Sequence, residues 1–212
     1  MALTAPVGNN TSRQIAPEGA FPARCYQIVD LGTTMQQGQF PGKKRKVQLI
    51  FELPTELCEF TAGEGLKPFY ARAIYNLSMN SKAVLRRDIE SWAGKKMPDE
   101  TAAKFDIFTL IGKACLLNIT HVEKGDATYA NIIGISPLPK GLVCPPAINE
   151  PLMYNTQEHD EVTFLKLPDF IQDKIKISDE YIARISAPYK AAPSPSEQEA
   201  FLGEAEDDSS PF

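Results

Sequence analysis

The chain has 212 residues, 22 Lys and Arg against 27 Asp and Glu, a formal net charge of −5 and 43% hydrophobic content, which suits one globular core with appendages. No apolar run approaches the length of a membrane span, and the Met1 end lacks a basic-then-apolar leader pattern. No membrane partner is expected, therefore, and the expected location is cytoplasmic.

Residues 1–16 read as a loose polar arm, with Asn9, Asn10, Thr11 and Ser12 together. A first strand is predicted from Gly19 to Leu31, where Phe21, Ala23, Cys25, Gln27 and Val29 alternate with Pro22, Arg24, Tyr26 and Ile28. Pro22 cannot donate a ladder hydrogen bond, so that end is expected at an edge or a bulge. Arg24 and Tyr26 fall on one face. A glycine-rich loop from Gly32 to Gly42 leads to four consecutive cations, Lys43, Lys44, Arg45 and Lys46. Then Val47, Leu49, Phe51 and Leu53 alternate with Gln48 and Glu52, the period of a strand with one buried face. A third strand runs from Phe69 to Leu77. Its odd positions suit a core, and Tyr70, Arg72, Ile74 and Asn76 face the other way.

After Leu77 the period becomes helical, with Ala83, Val84, Leu85, Ile89 and Trp92 on one side and Gly94 as a stop. Trp92 is expected against the sheet. A short second helix starts at Pro98-Asp99-Glu100, and Gly112-Lys113 turns into a fourth strand, Ala114 to Val122. Gly125 and Asp126 make a turn into a fifth, Thr128 to Ser136. Prolines 137, 139, 145, 146 and 151 then interrupt regular structure, and two helical pieces are predicted at 168–174 and 178–185. Beyond Pro188 the composition of Ala, Pro, Ser and Glu buries too little to fold.

The predicted fold class is mainly β. Strand, strand, strand, helix, strand, strand is the order of a five-stranded OB-fold barrel, with the helix between strands three and four, short C-terminal helices and a disordered acidic tail. The domain reading is 1–16 arm, 17–141 barrel, 142–190 an extension packed on the barrel, and 191–212 tail. The tail carries six carboxylates and no Lys or Arg, which leaves 22 basic against 21 acidic residues elsewhere.

A basic run beside sheet faces bearing rings and guanidinium groups points to single-stranded nucleic acid, because cations hold phosphates and rings stack on any base. The candidate contacts are Lys43, Lys44, Arg45, Lys46, Tyr70, Arg72, Arg24, Tyr26 and Tyr129, the last beside the fourth interstrand loop. The competing readings are ordinary ones: charge runs are usually solvated loops, and a bulge could turn Tyr26 into a core ring. Cys25, Cys58, Cys115 and Cys144 contain no Cys-x-x-Cys pair, so the spacing argues against zinc, and no cofactor is expected. His121 and His159 have no nucleophile motif beside them and no Gly-rich phosphate loop is present, so the expectation is a binding protein and not an enzyme. An RNA-binding barrel or a strand-annealing recombination protein is the alternative.

Several segments resemble a known group. They are Pro17-Glu18-Gly19 into Pro22-Ala23-Arg24-Cys25-Tyr26, Asp30-Leu31-Gly32, the Leu85-Arg86-Arg87-Asp88 to Ser91-Trp92 helix, Gly112-Lys113, and Tyr129-Ala130-Asn131 through Ile135-Ser136-Pro137-Leu138-Pro139-Lys140-Gly141. Over roughly 15–141 the chain resembles the single-stranded DNA-binding proteins of tailed bacteriophages, which have one OB-fold and an acidic C-terminal tail. The resemblance implies binding without strong sequence preference, in DNA replication, recombination and repair within the host bacterial cytoplasm. Lys140 joins the candidate DNA contacts on that pattern. The end of the chain, with Glu206, Asp207, Asp208, Pro211 and Phe212, is similar to the acidic tip of bacterial single-strand-binding proteins. That likeness implies recruitment of replication proteins such as a polymerase, helicase or primase. Ser209 and Ser210 stand where an acid or an apolar residue is common.

Overall fold

A computed structural model describes residues 14–186, Gln39 and Asp126 excepted. The acidic tail and most of the N-terminal arm lie outside the described residues. The last arm residues do not: Ala16 is buried in the main core, its carbonyl in contact with the His121 ring at 2.8 Å.

Five strands are laid out in the order β3-β2-β1-β4-β5: β1 Gly19–Gln36, β2 Gly42–Cys58, β3 Lys67–Asn76, β4 Ala114–Lys124 and β5 Ala127–Ser136, with antiparallel neighbours. A sixth, β6 Leu152–Tyr154, runs parallel to β1 at Gln27–Val29, just past the residues that β4 pairs. The fold is therefore mainly β, and the sheet is open: β3 and β5 approach each other, but no ladder of hydrogen bonds joins them. The hairpin of β1 and β2 is longer than the alternation suggests. Residues 32–36 pair with 42–46, so the basic run lies inside β2 and not in a loop. Pro22 sits opposite Leu116 within the β1–β4 ladder; the bulge comes at Tyr26, where the β1–β2 register shifts.

The alternation of β2 and β3 puts Val47, Leu49, Phe51, Leu53, Ala71 and Tyr75 on the inner face, where they form the main core with Cys25, Ile28, Leu117 and Ile135. Helix α1, Val84–Ala93, closes that core. Its Trp92 meets Phe51 edge-on at 5.5 Å and donates its indole N–H to the Ala114 carbonyl at 2.8 Å, so this ring is structural. Gly94 ends α1 at φ 66, a left-handed position where the absence of Cβ matters. Helix α2, Asp99–Ala103, and a 3-10 turn at Ile107–Leu110 lead into β4.

The chain then crosses to the opposite face of the sheet. Helices α3 Glu161–Leu165, α4 Asp169–Lys176 and α5 Asp179–Ser186 follow β6, and Tyr154, Phe164, Leu167, Ile171 and Ile175 bury Val29 and Leu31 of β1 in a second core. Neither β6 nor α3 is visible in the periodicity. Gly32, at φ +71, receives the start of α5 so closely that a Cβ there would lie 2.5 Å from Ser178 Cβ.

Candidate nucleic-acid interface

Two faces of β2 carry opposite jobs. With 47, 49, 51 and 53 turned inward, Lys44, Lys46, Gln48, Ile50 and Glu52 turn outward. β3 sets Asn76, Ile74, Arg72 and Tyr70 directly across from the last four of these. This outer face is only partly open to water. The C-terminal segment covers its β1 side, so that Gln48 is 1% exposed and Glu52 is 0% exposed. The Glu52 carboxylate accepts from the backbone N–H groups of Ile148 at 2.6 Å and Asn149 at 2.9 Å, and from the Asn149 amide at 2.5 Å. Burying an ionised carboxylate is costly unless it is hydrogen-bonded, and these three donors satisfy it. The part left open runs along β3, where Tyr70 is 43% exposed, Ile74 is exposed and Arg72 is half-buried.

The structure divides the six cations expected on β1 to β3 into two groups. Arg24 is engaged within the chain: its guanidinium donates to the carbonyls of Gly112 (2.5 Å), Cys144 (2.9 Å) and Pro145 (3.0 Å), and so staples the C-terminal segment to the sheet. Arg45 belongs to the inner face and is likewise spent. It forms a two-pronged pair with the buried Asp30 at 2.6 and 3.2 Å, and Thr156 of the C-terminal segment donates to the same carboxylate. Lys43 pairs with Asp179 of α5 at 2.8 Å, which lifts its pKa. Lys46 donates to the neutral side chain of Gln36 at 2.6 Å. Among the described residues Lys44, Lys46 and Arg72 form no ion pair with a carboxylate. These three stay available for an anion.

The aromatic candidates also separate. Tyr26 occupies the bulge and is half-buried. Burial pushes its hydroxyl up to about 12, and the nearby Tyr70 and Glu52 add to the effect. Tyr70 is exposed on the β3 face. Tyr129 is exposed on β5 opposite Val122, and Lys140 is exposed beyond that strand; among the described residues neither is in ring contact or ion pairing with β3.

Reasoning from sequence missed two groups on α4. Phe170 is 47% exposed, with the Arg72 guanidinium 5.6 Å and the Lys174 ammonium 5.9 Å from its ring centroid. Their signal was local: Phe170 and Lys174 stand four residues apart, as do Ile171 and Ile175, so one pair faces the core while the other stays outside. A ring on the outer side of an amphipathic helix was the clue.

A separate cleft of about 770 Å³ opens at the inner end of the sheet between Ile28, Val47, Met79, Phe105 and Phe108. Its two arginines are each held by a carboxylate, Arg45 by Asp30 and Arg86 by Asp99 at 2.5 Å, and its remaining charged group, Asp106, is acidic. The outer face is the stronger candidate, because its cations lack such partners. No family model matches the chain, and no curated protein matches it either, so the interface rests on its own residues.

Proposed function

We propose that this chain binds single-stranded DNA without strong sequence preference along the outer face of β2 and β3, as a non-enzymatic protein of an OB-type fold. The carrying observation is the exposed Tyr70 in line with Arg72, with Lys44 and Lys46 farther along the same face, where the Glu52 carboxylate is buried and fully engaged. Rings accept any base, and unpaired cations accept the backbone. The strand order β3-β2-β1-β4-β5, with α1 between β3 and β4, supports the OB reading. The sequence resemblance supports a role in phage DNA replication, recombination and repair in the host bacterial cytoplasm. There the tail residues Glu206, Asp207, Asp208, Pro211 and Phe212 would recruit a polymerase, helicase or primase.

The test is a titration of the full chain with labelled single-stranded DNA, single-stranded RNA and duplex DNA of equal length at two salt concentrations. Tighter binding to single-stranded DNA, weakening as salt rises, is expected. Replacing Lys44 and Lys46 by alanine should lower the log–log salt slope by about 1.4, near 0.7 for each phosphate no longer neutralised. Equal affinity for all three nucleic acids, or a slope unmoved by the double substitution, would refute the assignment. Preference for RNA would redirect it to an RNA-binding barrel.

A further inference from the structure

Helix α4 has an apolar side that already accounts for its place in the fold. Ile171 and Ile175 are buried with Val29, Leu31 and Tyr154, while Gln172 donates to the Leu167 carbonyl at 2.8 Å and fixes the helix start. Phe170 adds nothing to that core, yet it stands nearly half exposed at the rim of the β3 surface. An exposed aromatic ring flanked by two cations is a poor core residue and a good platform for a planar, electron-rich partner.

The charges at this point are equally one-sided. The Arg72 guanidinium and the Lys174 ammonium both approach the Phe170 ring, at 5.6 and 5.9 Å from its centroid. Burial, then repulsion from Arg72 and Lys46, lowers the Lys174 pKa. Asp173, the neighbour of Lys174, is taken by Lys176 at 3.2 Å. Among the described residues no carboxylate pairs with Lys46, Arg72 or Lys174. Like charges held together without a counter-ion are mutually destabilising, and a phosphodiester placed among them removes that repulsion.

We infer that α4 forms one wall of the nucleic-acid groove: Arg72 and Lys174 clamp a backbone phosphate, and Phe170 stacks on an adjacent base as a second ring beside Tyr70. This rests on the reading of the outer face as a single-stranded DNA site. The C-terminal segment is then part of the binding surface and not only its cover. Sheet and helix, remote from each other in sequence, supply one subsite.

The experiment measures binding of labelled oligothymidylate by the full chain carrying Phe170→Ala, Phe170→Leu, Phe170→Tyr or Lys174→Ala, beside Tyr70→Ala as reference. Melting temperatures are recorded for each. Phe170→Ala and Phe170→Leu should each weaken binding by roughly 5- to 100-fold, the loss expected for one stacked base. Phe170→Tyr should bind like the parent, and Lys174→Ala should lower the salt slope by about 0.7. Melting temperatures should hold, because both side chains lie outside the core. If Tyr70→Ala weakens binding while the Phe170 and Lys174 variants bind like the parent, the inference falls and the β3 assignment stands. Full recovery by Phe170→Leu would overturn stacking, and tighter binding by Phe170→Ala would make α4 an obstruction. If the parent does not bind, or Tyr70→Ala is silent as well, the failure lies in the underlying reading.

Discussion

Arg45 is the sharpest test of how the basic run is divided. Its guanidinium pairs with Asp30, and the two side chains are 26% and 5% exposed, respectively. Arg45→Ala leaves that carboxylate with only the N–H of Gly32 at 3.1 Å and the N–H and hydroxyl of Thr156. Stripping one partner from a buried pair typically costs about 3–5 kcal/mol. The remaining donors and the partial exposure of Arg45 reduce this to about 2–3 kcal/mol here. For a protein of this size, each kcal/mol moves the melting temperature by roughly 2–4 °C, so a fall of about 5–10 °C is expected. Adding Asp30→Asn should recover part of the loss, because the orphaned charge goes with it. Calorimetry gives the stability, and oligonucleotide anisotropy at several salt concentrations gives the binding. Arg45→Ala with an unchanged melting temperature and a reduced salt slope would refute the argument, since Arg45 would then be holding DNA and not Asp30.

Tyr70→Ala should cost about 1–3 kcal/mol of single-strand binding with little change in melting temperature, as one exposed ring is removed; a large fall in melting temperature would place the ring in a core. Gln48 is buried and its amide oxygen is the one buried side-chain N or O atom among the described residues left without a partner. Gln48→Met should therefore raise the unfolding free energy in urea by about 1 kcal/mol. Burial favours the neutral acid at Asp30, but the hydrogen bonds from Arg45, Thr156 and Gly32 outweigh it and hold the carboxyl below its usual range. A folded pKa below the unfolded value contributes stability that is complete above about pH 4 and is lost as pH falls through the folded value. Urea midpoints should accordingly decline on acidification below about pH 4, and less steeply in Asp30→Asn. Deleting residues 204–212 should tighten DNA binding at low salt, with the gain fading as salt screens the tail; equal affinity at low salt would leave the tail no part in the groove.

The inner half of this molecule was legible because it obeys a local rule. Val47, Leu49, Phe51 and Leu53 announce a buried strand face, and Ala71 and Tyr75 continue it in β3. Gly94 announces the end of α1. The outer half was not, because its determinants are remote. Gln48 and Glu52 look like solvent-facing positions, and only donors far along the chain, at Ile148 and Asn149, make burial of Glu52 tolerable. Three residues, Leu152–Tyr154, are too few to display a period. The cations were the hardest to read. Alternation assigns Arg45 to the inner face and Lys44 and Lys46 to the outer, yet nothing local tells that Arg24 will find three carbonyls or that Lys43 will find Asp179.

The polar side chains of β2 acquire a different meaning when the order of synthesis is considered. A ribosome adds about 5–20 residues per second, so β1 to β5 emerge on the order of seconds before α4 does. Throughout that interval the face that will later be covered by residues 144–176 meets water. A Gln and a Glu at 48 and 52 keep it wettable, whereas an apolar pair would present a sticky sheet surface to neighbouring nascent chains. The carboxylate that later anchors Ile148 and Asn149 thus first serves as a gatekeeper, and the final structure conceals that earlier service.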